Sequence, residues 1–282
     1  MDSLTRVEVP GGALAVEVIE AASEPVLAVH GISSQRRLWN WLRAADPSLS
    51  LIAPDLRGRG DSVDVSGPSS VAQHAADMVA VLDRLGLDAV HVCGMSMGGF
   101  VGVELATAWP GRVKSLILVD GGFPMTVPPG LTREKIPAIF RARLARLDRD
   151  WATVGDYASF FVASTSPLLD AADPLLLDYL AHDLAGRRVR LNSEAVIQDA
   201  ADVLLGPSKW RQLGVPVRFL TAEWSTGRGT PPAYPPQAVR GFREELDVLV
   251  HVRPVAGVDH AASIMSAAGA GPCAELIAET LS

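Results

Sequence analysis

The sequence predicts an α/β fold built on a mostly parallel sheet, and three observations support this prediction. Candidate strands alternate with candidate helices in the first half of the chain, and strands return near its end. Residues 25–31 and 113–122 are continuous apolar runs, which suit strands that helices cover on both faces of a sheet. Between residues 123 and 208 the strand pattern stops, and a block predicted to contain only helices is inserted.

The first half of the chain contains most of the predicted strands. Residues 6–9 and 13–20 are separated by Pro-Gly-Gly, which predicts a hairpin. Ser70 can cap a helix that Gly86 ends, because serine accepts a hydrogen bond from the first turn and glycine tolerates the backbone conformation of a helix end. The other elements are a helix at 36–43, a strand that begins near 49, a strand at 89–95 and a helix at 97–109.

The helical block interrupts a sheet that continues after it. Within the block, Asp173 followed by Pro174 is typical of a helix start. The later elements are strands at 215–223 and 247–257 and a helix at 271–281. We therefore expect two domains, which are a core formed by residues 1–122 and 209–282 and a helical insertion formed by residues 123–208.

The composition argues against several classes of protein. The net charge of −7 disfavours binding to a phosphate backbone, so no nucleic-acid partner is expected. No apolar stretch of about 20 residues predicts a membrane span, and the first residues lack a secretory leader pattern. The chain has two cysteines, Cys93 and Cys273, and Cys93 is predicted to be a buried thiol, which suits a reducing cytoplasm. Metal- and nucleotide-binding motifs are missing, so neither a metal nor a cofactor is expected.

The clearest motif is Gly94-Met95-Ser96-Met97-Gly98, a G-x-S-x-G pattern between a predicted strand and a predicted helix. A strand that turns at once into a helix forces the serine into a strained backbone conformation, and side chains two residues away on either side would collide. The serine hydroxyl is then exposed at a helix N-terminus, which offers N–H groups to an oxyanion. The motif therefore predicts a nucleophilic serine.

The chain resembles the α/β-hydrolase fold superfamily over nearly its whole length, because several motifs occur in the expected order. These motifs are VHGIS at 29–33, PDLRGRGDS at 54–62, GMSMGG at 94–99 and VDH at 258–260. The resemblance implies a mostly parallel eight-stranded sheet with helices on both faces. It also implies that the inserted block is a helical lid, and that the lid covers an apolar pocket.

The resemblance further implies an oxyanion hole formed by the backbone N–H groups of Ile32 and Met97. Two such donors can each lower a reaction barrier by about 3–4 kcal/mol. His30, which precedes this loop, is expected to hold the loop in place rather than to take part in the chemistry.

His260 is the predicted general base for Ser96. It follows the last predicted strand, so it lies at the carboxyl edge of the sheet, where Ser96 also lies. Its neighbour Asp259 is expected to point elsewhere. The other histidines are predicted to be structural or solvated: His91 and His251 lie in strands, and His74 and His182 lie on the solvated faces of helices.

Two residues are candidates for the acid that orients His260. By resemblance, the acid often follows the seventh strand, but Ser225 occupies that position here and Glu223 lies two residues earlier. The superfamily also uses the end of the sixth strand, where Asp120 stands. Adjacent strands lie about 4.8 Å apart, so an imidazole can fit above the strand ends that carry Ser96 and Asp120. We favour Asp120 and keep Glu223 as the alternative.

Two charged segments are interpreted as structural. Asp55, Arg57 and Asp61 lie in a glycine-rich loop and are expected to lock one another. The arginine-rich segment 141–149 is expected to be the solvated face of the lid.

The sequence thus predicts a serine hydrolase that cleaves a carboxylic ester or lactone of small or medium, apolar character through an acyl-enzyme. The alternatives are a thioesterase or a carbon–carbon bond hydrolase with the same triad, and a non-catalytic ligand-binding protein of the same fold. A small-molecule substrate is the expected partner, and pairing with a second copy as a homodimer is left open.

Overall fold

An eight-stranded sheet forms the centre of the computed structural model, which describes residues 2–127 and 129–282. Met1 and Pro128 lie outside the described residues. The strands, in chain order, are β1 (Ser3–Val9), β2 (Gly12–Ile19), β3 (Val26–Val29), β4 (Leu51–Pro54), β5 (Val90–Met95), β6 (Val113–Val119), β7 (Leu184–Ala185), β8 (Arg188–Val189), β9 (Val217–Trp224) and β10 (Leu249–Asp259).

The order across the sheet is β1-β2-β4-β3-β5-β6-β9-β10. β1 and β2 form the predicted antiparallel hairpin, and β2 also pairs antiparallel with β4. All other pairs in this sheet are parallel. The prediction of a mostly parallel eight-stranded sheet is therefore confirmed. The carboxyl ends of β5, β6 and β10 lie at one edge, where parallel sheets collect functional side chains.

Helices cover both faces of the sheet, as predicted. They are α1 (Asn40–Ala45), α2 (Val71–Arg84), α3 (Met97–Ala108), α4 (Ile136–Leu144), α5 (Val154–Thr165), α6 (Pro174–Asp183), α7 (Ser193–Leu205), α8 (Pro236–Glu245) and α9 (Ala267–Leu281). Successive side chains of a strand point to opposite faces, so Leu27 of β3 packs in a cluster with Val101 of α3. Val26 of β3 packs in the opposite cluster with Ile277 of α9.

The segment between β6 and β9 contains α4 to α7, but the prediction that it is entirely helical is wrong. β7 and β8 form a small antiparallel sheet within it, because the left-handed Gly186 allows a tight turn between them. Residues 123–127 have no regular secondary structure, and Pro128 lies outside the described residues. The domain boundaries at residues 122 and 209 remain predictions.

The charges of the loop after β4 are paired, but not with one another as predicted. Arg36, from outside the loop, pairs with both Asp55 and Asp61. Arg57 instead forms two hydrogen bonds of 2.8 Å to the carboxylate of Asp77 on α2. Residues outside the loop therefore hold it in place. The Arg36 guanidinium pairs with both carboxylates of the loop, Asp55 and Asp61, and Asp77 binds Arg57.

The prediction that His74 and His182 lie on solvated faces is also wrong. His74 is fully buried, and its Nε2 lies 2.9 Å from Oδ2 of Asp199. His182 is only 8% exposed, with Nε2 3.8 Å from the carboxylates of Asp55 and Asp61. His74 on α2 faces Asp199 of the inserted segment, and His182 on α6 faces the loop after β4, so both side chains are covered where the core meets the inserted segment.

The arginine-rich segment 141–149 is not a uniformly solvated face. Arg146 is buried, donates a 2.6 Å hydrogen bond to the Ser33 carbonyl, and lies 3.8 Å from the Asp183 carboxylate. The α-helix gives way to a tighter turn over Ala145–Asp148, which directs this side chain inward. The spacing of residues along an ideal helix does not show that Arg146 turns inward.

The two cysteines are buried free thiols, with Sγ atoms 3.9 Å apart. This agrees with the prediction for Cys93. Across residues 2–127 and 129–282, no helix combines the length and apolar character needed to span a bilayer.

A buried ion pair connects the inserted segment to the core. Nη2 of Arg59, in the loop after β4, lies 2.6 Å from Oδ2 of Asp199 on α7, and both side chains are fully buried. Ser69 donates a 2.9 Å hydrogen bond to the same oxygen. Burial alone would raise the pKa of Asp199, but its interactions with His74 and Arg59 lower that pKa to about 2.

We predict that Asp199→Ala lowers the free energy of unfolding by about 3–5 kcal/mol, because the Arg59 guanidinium would remain buried without a carboxylate. Denaturant unfolding measures this change. The control is Glu194→Ala on the exposed side of the same helix, which should change stability by less than about 0.5 kcal/mol. An equal loss of unfolding free energy in the two variants would contradict a stabilising role for the Arg59–Asp199 ion pair.

Candidate active site

Ser96 occupies the sharp turn between β5 and α3. Its φ of 54° and ψ of −119° are strained for a residue with a side chain. Its N–H donates to the Val119 carbonyl at 2.9 Å, and its carbonyl accepts from the Gly99 N–H at 2.9 Å. The turn is therefore fixed on one side by β6 and on the other by the start of α3.

Glycines are required around this turn because neighbouring backbone approaches them closely. A Cβ on Gly94 would lie 2.3 Å from the Gly98 carbonyl oxygen, and one on Gly98 would lie 1.9 Å from the Val29 oxygen. A third glycine, Gly121, was not singled out from the sequence. A Cβ there would lie 2.1 Å from the Ser96 carbonyl oxygen. The signal in the sequence is the pair of glycines that follows Asp120.

His260 joins Ser96 and Asp120 in one hydrogen-bonded chain. Its Nε2 lies 3.0 Å from Ser96 Oγ, and its Nδ1 lies 2.6 Å from Asp120 Oδ2. Because a carboxylate only accepts, Nδ1 carries the proton and Nε2 is free to accept from the serine hydroxyl. The three side chains come from the ends of β5, β6 and β10.

Asp120 is held in a defined orientation. Its side chain is buried, and its backbone is left-handed with a φ of 45°. Its Oδ1 accepts a 3.1 Å hydrogen bond from the Ala222 N–H of β9, which leaves Oδ2 for His260. An ionised carboxylate is stabilised in a buried position by such partners.

The structure does not bring Glu223 to His260. The Glu223 side chain is exposed and accepts a 2.6 Å hydrogen bond from the Gly257 N–H. Asp259 also points away from His260, as expected from the sequence. Its buried carboxylate accepts hydrogen bonds of 2.7 Å from the Ser166 hydroxyl and the Gly227 N–H.

His30 supports the loop that carries Ile32. Its Nε2 accepts a 3.0 Å hydrogen bond from the Leu56 N–H, so its Nδ1 carries the proton and donates to the Gly31 carbonyl at 2.7 Å. Desolvation lowers the pKa of His30 to about 4, which keeps the ring neutral. The loop is pressed against the nucleophile turn, because a Cβ on Gly31 would lie 3.3 Å from Ser96 Cβ.

Of the two predicted oxyanion donors, Met97 directly follows Ser96 in the chain and Ile32 lines the same cleft as Ser96. Within the described residues, nothing accepts a hydrogen bond from the Ile32 N–H. Met97 is the first residue of α3, and the first N–H groups of a helix have no partner within it. Both positions can therefore present an N–H group to a ligand.

A cleft of about 560 Å³, including its open mouth, lies over Ser96 and His260. The core contributes mainly apolar walls, and the inserted segment contributes further lining residues. The core residues include Ile32, Leu38, Met95 and Met265, and those of the inserted segment are Arg143, Phe161, Thr165 and Tyr179.

One further cluster has side chains of the metal-binding type. Within the described residues, Asp55, Asp61 and His182 place ligand atoms within 4.8 Å of one another. However, Arg36 pairs with both carboxylates, and Arg190 also contacts Asp61. The carboxylate charge is thus already neutralised, so we interpret the cluster as an ion-pair network.

We predict that Gly121→Ala lowers the free energy of unfolding by about 1–3 kcal/mol, because the added methyl group overlaps the Ser96 backbone. Thermal or denaturant unfolding measures the loss. Gly111→Ala is the matched control, since nothing lies within 4 Å of a Cβ built there. A Gly121→Ala protein as stable as this control would contradict the close approach.

Comparison with known proteins agrees with the fold. A protein named provisionally as the carbamate hydrolase RutD, from Azorhizobium caulinodans, is 38% identical over 104 residues, which are 36% of this chain and 39% of that protein. Lipase LipV of Mycobacterium tuberculosis is 37% identical over 95 residues, or 34% of this chain and 36% of the lipase. The match therefore spans little more than a third of the length of these curated relatives.

A solved structure of E-2-(acetamidomethylene)succinate hydrolase superposes on this chain with a TM-score of 0.76. The superposition covers 99% of this chain and 98% of the hydrolase chain, with 19% sequence identity. This similarity shows that the two proteins share a fold. The family model described as the alpha/beta hydrolase family matches residues 26–270. The chain belongs to the alpha/beta hydrolase family.

Proposed function

We propose that this protein is a serine hydrolase that cleaves a carboxylic ester or lactone through an acyl-enzyme. The observation that carries the proposal is the continuous chain from Ser96 Oγ through His260 to Asp120. This hydrogen-bonded chain lies in a cleft with largely apolar walls, which suits a substrate with an apolar part.

In the first half of the reaction, Ser96 Oγ attacks the carbonyl carbon while His260 Nε2 takes the hydroxyl proton. Asp120 stabilises the imidazolium that forms. The negative oxygen of the tetrahedral intermediate accepts hydrogen bonds from the Ile32 and Met97 N–H groups. The intermediate collapses when His260 returns the proton to the leaving oxygen, and the acyl group remains on Ser96.

In the second half, water replaces the leaving alcohol. His260 Nε2 takes a proton from water as its oxygen attacks the acyl carbon. The second tetrahedral intermediate uses the same two N–H groups. When it collapses, the proton passes to Ser96 Oγ, the carboxylic acid is released, and the enzyme returns to its starting state.

We assign residues 123–208 the role of a lid in this proposal. α4, α5 and α6 each place a side chain at the cleft. Asp259, next to the base, accepts a hydrogen bond from Ser166 at the end of α5. This contact ties the inserted segment to the loop that carries His260.

We predict that Ser96→Ala lowers kcat/KM for a p-nitrophenyl ester by roughly 10⁴-fold while the fold is kept, because the nucleophile is removed. Steady-state kinetics and circular dichroism measure the two quantities. Ser159→Ala, on an exposed surface of α5, should retain full activity. Undiminished hydrolysis by purified Ser96→Ala protein would refute the proposed nucleophile.

The two candidate acids are distinguished by a second pair of variants. We predict that Asp120→Asn lowers kcat by about 10⁴-fold, because the amide favours the wrong imidazole tautomer. Glu223→Gln should leave kcat within about twofold, since Glu223 is exposed and bonded to the Gly257 N–H. The reverse pattern, with a large loss only in Glu223→Gln, would move the acid to Glu223.

A further inference from the structure

Arg143, on α4, lacks the carboxylate partner that buried arginines of this chain have. It is only partly exposed, and its guanidinium carbon lies 5.8 Å from the centroid of the Phe140 ring. Within residues 2–127 and 129–282, no carboxylate pairs with it. The buried arginines, by contrast, form the pairs Arg36–Asp55, Arg57–Asp77, Arg59–Asp199 and Arg146–Asp183.

The position of Arg143 connects it to the proposed chemistry. It lines the same cleft as Ser96 and His260. Together with Thr165, it also lines a second depression that adjoins the cleft. Arg143 therefore borders two adjoining cavities, one of which contains the nucleophile.

The cleft provides no counter-charge for this guanidinium. None of the described residues that line it is an aspartate or a glutamate. Desolvation lowers the pKa of Arg143, and the positive charge of Arg146 lowers it further. The group nevertheless stays protonated at neutral pH, because an arginine pKa begins so high. An anion that enters the cleft would supply the missing partner.

We propose that Arg143 binds a carboxylate of the substrate, at the end of the molecule remote from the bond that Ser96 attacks. A guanidinium suits this role, because its planar donors can bind both oxygens of a carboxylate. Thr165 offers a hydroxyl donor beside it. Leu38, Met95 and Phe161 contact the apolar part of the molecule between its two ends.

This inference rests on the proposed hydrolase function and narrows its substrate class. The substrate is an ester or lactone that also carries a carboxylate, rather than a wholly apolar one. The arginine-rich segment, which the sequence suggested to be solvated, thus supplies the group that selects the substrate.

The test compares anionic and neutral esters of matched shape. One pair places the charge on the acyl side, with mono-p-nitrophenyl adipate against p-nitrophenyl hexanoate. The second pair places it on the leaving group, with 4-carboxyphenyl acetate against 4-carbamoylphenyl acetate. We expect the wild-type protein to favour the anionic member of at least one pair by about 10- to 100-fold in kcat/KM, as a charge-assisted contact provides.

Arg143→Met should abolish this preference, measured as the ratio of kcat/KM for the anionic ester to kcat/KM for the matched neutral ester. Arg143→Lys keeps a cation and should keep part of the preference, so it serves as a second variant if the first folds poorly. The matched control is Arg141→Met, because Arg141 lies on the same helix with its side chain exposed. This control should retain the wild-type preference.

The outcomes separate the two proposals. If the wild-type protein hydrolyses the neutral esters but favours neither anionic partner, Arg143 does not bind a substrate carboxylate. A preference that survives in Arg143→Met, with the fold verified by circular dichroism, leads to the same conclusion. If no ester of either pair is hydrolysed, the serine hydrolase proposal itself fails, and this inference fails with it.

Discussion

The turn at Ser96 is the constraint on which the rest of the site depends. The tight turn between β5 and α3 holds Ser96 at a positive φ, which is strained for a residue with a side chain. It also brings neighbouring backbone so close that a Cβ would overlap it at Gly94, Gly98 and Gly121. The Ser96 N–H bonds to β6, so the same contact that holds the turn also brings the end of β6 alongside it. Asp120, one residue beyond β6, is thereby placed within reach of an imidazole above Ser96.

Buried polar contacts join the inserted segment to the core near this site. Arg59 and Asp199 anchor α7 to the loop after β4. Ser166 reaches the carboxylate of Asp259, next to His260. Buried ion pairs contribute little net stability but penalise wrong arrangements, since a misplaced segment would leave a charge unpaired. These contacts therefore favour one placement of the segment over the cleft.

Sequence patterns predicted the mostly parallel sheet and the tight turn at Ser96, and the structure has both. These two predictions succeeded because strand alternation and glycine requirements are local properties of the chain. The structure also places Ser96, Asp120 and His260 at one sheet edge, and their catalytic roles are a proposal. Sequence patterns failed for several buried charged residues. The burial of His74, and the inward turn of Arg146, depend on which elements pack together. The need for glycine at position 121 arises from the backbone of Ser96, which is distant in sequence, so no local pattern reveals it.

The proposed chemistry is tested most directly by a crystal structure of the protein after reaction with an alkyl fluorophosphonate, which mimics the tetrahedral intermediate. We expect a covalent bond from Ser96 Oγ to phosphorus. We also expect the phosphoryl oxygen to lie within hydrogen-bond distance of the Ile32 and Met97 amide nitrogens. An unmodified Ser96, or a phosphoryl oxygen directed away from both amides, would contradict it.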